Sequence, residues 1–170
     1  MDDKSIIGQK SFLIPLEESD MELISTWAYD PLVRKNYYNY ASIQESNLKK
    51  IINNPEENLN TYVINTMDNV AIGKLSLEIM DDSSANIDMV IGEKIYTGKG
   101  YGKDALKAAI KYCFEELNLD SVRMIIKEDN MRAEYCCWSC GLREDKYYIP
   151  DDKMSHTSRM VIFKRDYIGY

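Results

Sequence analysis

The sequence lacks the features that would place it in a membrane or in an oxidising compartment. No apolar run approaches the roughly 20 residues that a membrane-spanning helix requires. The N-terminal stretch MDDKSIIGQK is charged and has no apolar core of the kind that signal peptides carry. Cys136, Cys137 and Cys140 crowd one short stretch while Cys113 stands alone, which is not a disulfide framework. We therefore expect a cytoplasmic protein.

Histidine, proline and positive charge are also scarce. The 170 residues contain one histidine, four prolines, and 21 Lys and Arg against 28 Asp and Glu, for a net charge of −7. This balance disfavours nucleic-acid binding, because phosphate contacts supply most of that affinity. It either favours a cationic ligand such as an amine or only keeps the protein soluble. With no repeat or linker to divide the chain, we expect a single domain over residues 1–170 that binds neither nucleic acid nor membrane.

What the first half does contain is two helix signals between strand-like segments. Residues 11–16 form a short apolar run that predicts a strand. Ser19 with Glu22, and Ser42 with Glu45, have the spacing of capping boxes and predict helix starts. Three segments with apolar residues at alternate positions predict an antiparallel meander, with a bulge at Gly73. They are 61–66, 70–80 and 85–92.

In the second half, strands alternate with helices. A helix begins after the glycines near residue 100, and its apolar residues follow the i, i+4, i+7 pattern of a buried stripe. A second, shorter helix should end at Gly141. Three more strands are predicted, at 121–127, 143–149 and 158–166. The predicted class is α/β (α+β), with one mixed, mostly antiparallel sheet of about seven strands and helices on both faces.

Gly98, Gly100 and Gly102 stand at alternate positions just before a predicted helix. A helix N-terminus offers unpaired N–H groups and the positive end of the helix dipole. Glycines would let an anion such as phosphate approach that backbone closely. The spacing matches neither the dinucleotide-binding fingerprint nor the P-loop. From the loop alone, a phosphate cradle and a plain tight turn both remain open.

The stretch from Ile87 to Leu142 resembles the GNAT N-acetyltransferase superfamily. It is most similar to the branch with ribosomal-protein N-terminal, polyamine and aminoglycoside acetyltransferases. Gly100 and Gly102 fill the glycine positions of the superfamily loop, while Thr97 stands where Gln or Arg is commonest. Asn130, followed by a short helix ending at Gly141, matches the second signature. Both motifs occur in order over about 55 residues.

The resemblance implies a GNAT fold and acetyl-CoA as cosubstrate. The loop would hold the pyrophosphate on its backbone N–H groups, and Asn130 would meet the pantetheine arm. The arm would lie in a gap beside the strand that carries Met89, Val90 and Ile91, as a pseudo-strand. The loop residues that the resemblance implicates are Thr97, Gly98, Lys99, Gly100, Tyr101, Gly102 and Lys103.

The implied reaction is direct attack of a primary amine on the thioester. A base or water chain must deprotonate the amine, and a backbone N–H of Val90 or Ile91 is expected to stabilise the oxyanion. Asp88 is the first candidate for meeting the amine and Glu78 the second; Asp88 also fits a polar residue on an exposed strand face. Cys137 stands where many family members place a tyrosine acid, and it fits either an acid or a buried packing residue.

The acceptor site is expected near the aromatic segment Tyr37, Tyr38 and Tyr40, whose rings suit a cation, although ordinary loop packing also explains them. We expect a small cationic amine, a polyamine or an aminoglycoside-like molecule. The alternatives are a protein N-terminus, as in ribosomal-protein acetyltransferases, or a CoA-binding module without catalysis. No metal is expected, His156 reads as a surface residue, and a homodimer is expected.

Overall fold

The computed structural model describes residues 5–150 and 154–170. Its helices are α1 (Met21–Trp27), α2 (Pro31–Asn36), α3 (Glu45–Asn53), α4 (Tyr101–Glu115) and α5 (Met131–Ser139). Its strands are β1 (Ile6–Ile7), β2 (Ser11–Pro15), β3 (Leu59–Thr66), β4 (Ala71–Met80), β5 (Ser84–Ile91), β6 (Ser121–Lys127), β7 (Arg143–Glu144) and β8 (Thr157–Phe163). Within the described residues, no helix is long and apolar enough to cross a membrane.

The strands form one sheet in the order β1-β2-β3-β4-β5-β6-β8-β7. Every neighbouring pair is antiparallel except β5 and β6, which run parallel because α4 connects them as a crossover helix. The register of β3 against β4 shifts between Ile64 and Asn65, next to Gly73. The predicted bulge therefore lies where the sequence indicated it.

Helices cover both faces of this sheet. On one face, α4 and α5 bury Leu106, Ile110 and Cys137 against Leu75 and Ile87 of the central strands. On the other face, α1 to α3 form a second, smaller core that includes residues of β3 and β5. Because both faces are covered, polar side chains on the central strands are buried whichever way they point.

The predicted fold class is confirmed, and the count of strands rises from about seven to eight. The segment 143–149 was predicted as one strand, but only Arg143–Glu144 pairs with β8. The Asp145 carboxylate explains the early end. It accepts a hydrogen bond from the backbone N–H of Tyr147 (3.0 Å) and from Arg159 (2.6 Å), which turns the chain away from the sheet.

Both predicted capping boxes are wrong in position, and α2 was not predicted. The first helix follows a 3-10 turn in which the backbone N–H of Glu17 donates to Asp20 (2.9 Å), and Ser19 is not its N-cap. Ser42 lies in another 3-10 turn, and Gln44 precedes α3 instead. The start of α2 has a readable signal, since the Asp30 carboxylate accepts from Leu32 N and a proline follows it.

Candidate active site

A gap opens between β5 and β6 at the centre of the sheet. The two strands pair only from Ser84 with Ser121 to Ile87 with Met124. Beyond Ile87, β5 continues to pair with β4 as far as Ile91 opposite Gly73, while β6 pairs with β8 as far as Lys127. The facing edges of Asp88–Ile91 and of the end of β6 are therefore not joined by sheet hydrogen bonds.

Along β5, the backbone N–H and C=O groups of successive residues point alternately to β4 and to the gap. The N–H of Gly92 donates to Ile72 on β4 (2.9 Å), and a Cβ on Gly73 would lie 2.3 Å from the carbonyl oxygen of Val90. Even-numbered residues of β5 thus direct their backbone groups to β4. The N–H groups of Met89 and Ile91 consequently face the gap, which favours Ile91 over Val90 as the oxyanion donor.

The glycine loop forms the N-terminus of α4 at one end of this gap. Gly98 and Gly100 adopt φ values of +76° and +89°, which side chains rarely tolerate. A Cβ on Gly98 would meet no atom within 4 Å, so protein packing does not explain this glycine. The N–H groups of Tyr101, Gly102 and Lys103 occupy the first turn of α4, where no helical partner exists. These features fit the phosphates of acetyl-CoA.

Positive charge surrounds the loop, although the protein is acidic overall. The Lys10 ammonium donates to the carbonyl of Lys99 (2.9 Å) and lies 5.1 Å from the ring centroid of Tyr101. Lys103 belongs to the first turn of α4, and Thr97 ends the 3-10 turn that leads into the loop. The Lys10 ammonium beside unpaired N–H groups favours a ligand that carries phosphate charge.

Asp104 fixes the loop to the hairpin of β1 and β2. Its carboxylate accepts from the backbone N–H groups of Gln9 (3.0 Å), Lys10 (2.9 Å) and Ser11 (2.9 Å), and from the Ser11 hydroxyl (2.8 Å). A Cβ on Gly8 would lie 2.3 Å from that carboxylate, so a side chain there would displace Asp104 from its hydrogen bonds. The hairpin thereby carries Lys10 to the glycine loop.

Asn130 lies at the other side of the gap, as the N-cap of α5. Its Oδ1 accepts from the N–H of Ala133 (3.2 Å), and its Nδ2 donates to the carbonyl of Asn36 at the end of α2 (3.0 Å). Lys127 at the end of β6 also contacts α2, because its ammonium donates to the carbonyl of Lys35 (2.7 Å). Asn130 thus joins α5 to α2, with one further N–H on its amide.

Asp88 is the first residue of β5 beyond the last pair with β6, and its carboxylate is the centre of a polar cluster. Its Oδ2 accepts from the Tyr37 hydroxyl, from Asn39 Nδ2 (3.1 Å) and from Ser42 Oγ (3.4 Å), and it lies 3.5 Å from Lys74 Nζ. Its Oδ1 is buried and has no hydrogen-bond partner among the described residues. A buried carboxylate oxygen without a donor is costly, so Oδ1 is the atom of this cluster that the described residues leave without a hydrogen bond.

Burial changes the ionisation of the groups around Asp88. Burial, together with the charge of Asp88, raises the pKa of Tyr37 well above its ordinary value, so this phenol stays protonated and donates. Burial and the same charge raise the pKa of Tyr38. Burial lowers the pKa of Lys74, and the nearby Asp88 opposes this shift. The cluster therefore contains one carboxylate, one buried amine and two neutral phenols.

The remaining candidates, Tyr40 and Glu78, make no hydrogen bond with Asp88 in the described part of the chain. Tyr40 packs against the smaller core, and the Arg34 guanidinium lies 5.4 Å from its ring centroid. Glu78 accepts from Asn86 (3.4 Å) on the same face of the sheet. His156 lines a cavity of about 480 Å³ together with Tyr38 and Lys127. This cavity adjoins the Asp88 cluster through Tyr38 and would admit a small ligand.

Cys137 lies in the core rather than in the gap. Its side chain is fully buried, and its Sγ is 3.8 Å from Met124 Sδ. Burial raises the pKa of the Cys137 thiol to about 12, which makes it a poor proton donor to a leaving thiolate. Its position therefore favours the packing interpretation over the acid.

Sequence reasoning missed three members of the Asp88 cluster: Asn39, Ser42 and Lys74. Ser42 was interpreted as a helix cap, but its hydroxyl contacts Tyr37 (3.0 Å) and Lys74 (3.1 Å) instead. Side chains alternate along β4, and Lys74 lies on the face opposite the apolar one. A lysine in such a position normally indicates a face exposed to solvent. The available signal was the set of predicted helices, since helices on both faces leave no exposed face for a central strand.

The fold, the gap and the loop are those of an acetyl-CoA-dependent transferase, and comparison with known families agrees. A family model described as "Acetyltransferase (GNAT) domain" matches residues 11–143. The chain belongs to this family of N-acetyltransferases, and GNAT enzymes use acetyl-CoA as cosubstrate.

Individual relatives are distant in sequence and similar in structure. Spermidine N(1)-acetyltransferase of Vibrio cholerae is 22% identical over 157 residues, which cover 89% of this chain and 86% of the relative. A crystal structure of spermidine N-acetyltransferase from Vibrio cholerae, in complex with CoA and spermine, has a TM-score of 0.74 at 21% identity and covers 94% of this chain and 99% of the other. A GNAT-family acetyltransferase from Bacillus anthracis has a TM-score of 0.76 at 18% identity, covering 95% and 99%.

Proposed function

We propose that the protein transfers an acetyl group from acetyl-CoA to a small cationic primary amine, of the polyamine or aminoglycoside-like class, by direct attack within a ternary complex. The observation that carries the proposal is the buried Oδ1 of Asp88, which has no donor among residues 5–150 and 154–170 and lies at the first position beyond the β5–β6 pairs. An ammonium or amine N–H supplies the donor that this oxygen lacks. The similarity to relatives named for spermidine supports the same class of acceptor.

Each partner has its own residues in this proposal. The first-turn N–H groups of α4, with Lys10, Lys99 and Lys103, hold the phosphates, and the edge of Met89–Ile91 holds the pantetheine arm. The remaining N–H of Asn130 guides the thiol end. Acetyl-CoA supplies an activated acetyl group as a thioester.

Asp88 orients the amine through Oδ1, and the N–H of Ile91 donates to the thioester oxygen as negative charge develops there. The amine proton leaves through Asp88 or through water in the gap, and Glu78 is the second carboxylate on that face. Tyr37 and Tyr38 line the side of the site that receives the amine, while Tyr40 holds their segment in place. The thiolate departs without an acid, because it is a good leaving group near neutral pH.

Two further expectations complete the proposal. The protein acts in the cytoplasm, a location that suits its four free cysteines. It forms a homodimer and has no nucleic-acid partner, the second because its net charge is −7. Size-exclusion chromatography with light scattering measures the oligomeric state directly.

A panel of acceptors tests the proposal by release of the CoA thiol. Spermidine, spermine, an aminoglycoside and a simple monoamine are compared with peptides that carry a free N-terminal serine or alanine. The proposal predicts turnover with the small polycations and little with the peptides. A preference for peptides would establish the protein-N-terminal alternative. Binding of acetyl-CoA without turnover of any amine would establish the non-catalytic module.

A further inference from the structure

Lys74 is among the largest fully buried side chains in the described part of the protein, and no step of the proposed reaction uses it. It lies on β4 opposite Val90 and is 1% exposed. Its ammonium donates to Ser42 Oγ (3.1 Å) and lies 3.5 Å from Asp88 Oδ2. A lysine is almost never buried in this way without a charged partner.

The charged and titratable groups around Lys74 show which of them is its ion-pair partner. From β4 come Lys74 and Glu78, from β5 comes Asp88, and the segment after α2 supplies the protonated phenols of Tyr37 and Tyr38. Tyr148, from the segment between β7 and β8, faces Tyr38. Asp88 forms the ion pair with Lys74, whereas Glu78 accepts a hydrogen bond from Asn86. The two buried charges therefore compensate each other.

The pairing is also asymmetric between the two carboxylate oxygens. All the described donors, including Lys74, are directed to Oδ2, and none is directed to Oδ1. A carboxylate held by one oxygen cannot rotate freely, so the direction of its second oxygen is fixed. Removing Lys74 would leave a buried carboxylate with neutral donors only, and breaking a buried ion pair in this way is strongly destabilising.

We propose that Lys74 is a positioning residue, which holds Oδ2 of Asp88 so that Oδ1 alone receives the acceptor amine. This inference rests on the proposed N-acetyltransferase function. It assigns to Lys74 no contact with either substrate. In this arrangement the acceptor amine and the Lys74 ammonium each bind a different oxygen of the Asp88 carboxylate.

The test is a double-mutant cycle of Lys74→Met and Asp88→Asn, read by rate, by acetyl-CoA affinity and by melting temperature. Lys74→Met keeps the length of the side chain and removes its charge. We expect acetyl-CoA affinity within about twofold of wild type and kcat/KM for the amine reduced by roughly 10- to 100-fold. Lys74→Arg, which keeps the positive charge, should restore part of the lost rate.

The double variant distinguishes positioning from simple packing. If Lys74 acts through Asp88, Lys74→Met adds nothing to the rate loss of Asp88→Asn. The double variant should also melt above Lys74→Met alone, since it no longer buries an unpaired carboxylate. If Lys74→Met does not fold, restored folding in the double variant supports the same coupling, and failure to restore it contradicts the proposal. The matched control is Lys49→Met, which changes an exposed lysine that pairs with Glu45 on α3.

Additive rate losses, or a kcat/KM of Lys74→Met equal to that of Lys49→Met, would overturn the positioning role. Those results leave the proposed function standing, because wild-type turnover is measured in the same series. If the wild-type protein acetylates no amine in the panel, the proposed function itself fails. The melting cycle then still reports whether Lys74 and Asp88 are coupled, and the positioning role falls with the function.

Discussion

Asp88 carries the acceptor chemistry at the scale of single residues. Asp88→Asn keeps the shape of the side chain, but it removes the charge and puts an amide N–H₂ group in place of one carboxylate oxygen. We expect turnover to fall by about 10²- to 10⁴-fold, with acetyl-CoA affinity nearly unchanged because the phosphate cradle lies elsewhere. Steady-state kinetics with calorimetric binding measures both quantities. Unaltered kinetics would make Asp88 a structural residue of the strand.

Cys137 is expected to act through stability alone. Cys137→Ala should lower the free energy of unfolding by about 1–2 kcal/mol and leave the rate per folded molecule unchanged, since the thiol packs against Met124. Rate and melting temperature are to be measured on one preparation. A large loss of rate with an unchanged melt would instead identify Cys137 as the acid.

The same thiol predicts a pH dependence. Burial raises the pKa of Cys137 from 9.0 to about 12 in the folded protein. Its contribution to stability is therefore fully present below about pH 9 and is lost as the pH rises towards 12, because the unfolded chain releases the proton first. Over that window the stability of Cys137→Ala should fall less steeply than that of wild type, by up to about 1.4 kcal/mol per pH unit. Equal slopes in chemical denaturation would contradict this assignment.

Part of the site was readable from single residues and part was not. Asp88 and Tyr37 were identified from a family resemblance and from an aromatic segment, and the structure brings them into hydrogen-bond contact. Ser42 and Lys74 were missed for a physical reason. Each follows a local pattern, a cap and an outward strand position, that contacts between distant elements override.

At the scale of elements, the hairpin of β1 and β2 is the support of the phosphate cradle. Asp104→Asn should weaken acetyl-CoA binding and lower stability by about 2–4 kcal/mol, because an amide cannot accept from every N–H that the carboxylate now binds. Glu116→Gln, an exposed change at the far end of α4, is the control. Equal acetyl-CoA affinity in the two variants would show that the hairpin does not organise the loop.

The strands and long helices were predictable because the spacing of their apolar residues places those residues on one face of each element, which is the face that the fold buries. Helix α4 shows this, since Leu106, Ile110 and Cys113 are all buried. The starts of α1 and α3 were not, because serines that resemble caps compete with nearby carboxylates and with tertiary partners. The gap between β5 and β6 has no local signal at all. It arises where two strands diverge, and only the family resemblance predicted it.

At the scale of the whole molecule, acetyl-CoA should stabilise the native fold, since only the folded chain assembles the loop, the hairpin and the gap. At about 100 times the dissociation constant, the gain is about 2.7 kcal/mol. For a chain of this length the melting temperature should rise by roughly 5 to 10 °C. Gly100→Val, which places a β-branched residue at φ +89°, should show a much smaller rise. No rise with wild type would count against the cradle.

The central claim is that the Asp88 cluster receives a small cationic amine for acetylation. The most direct measurement incubates the protein with acetyl-CoA and spermidine, and compares thiol released with acetylated amine found by mass spectrometry. The account predicts equal amounts of the two products with wild type, and a loss of about 10²-fold or more with Asp88→Asn. Thiol release that does not depend on the amine, or acetylated product formed equally by Asp88→Asn, would contradict it.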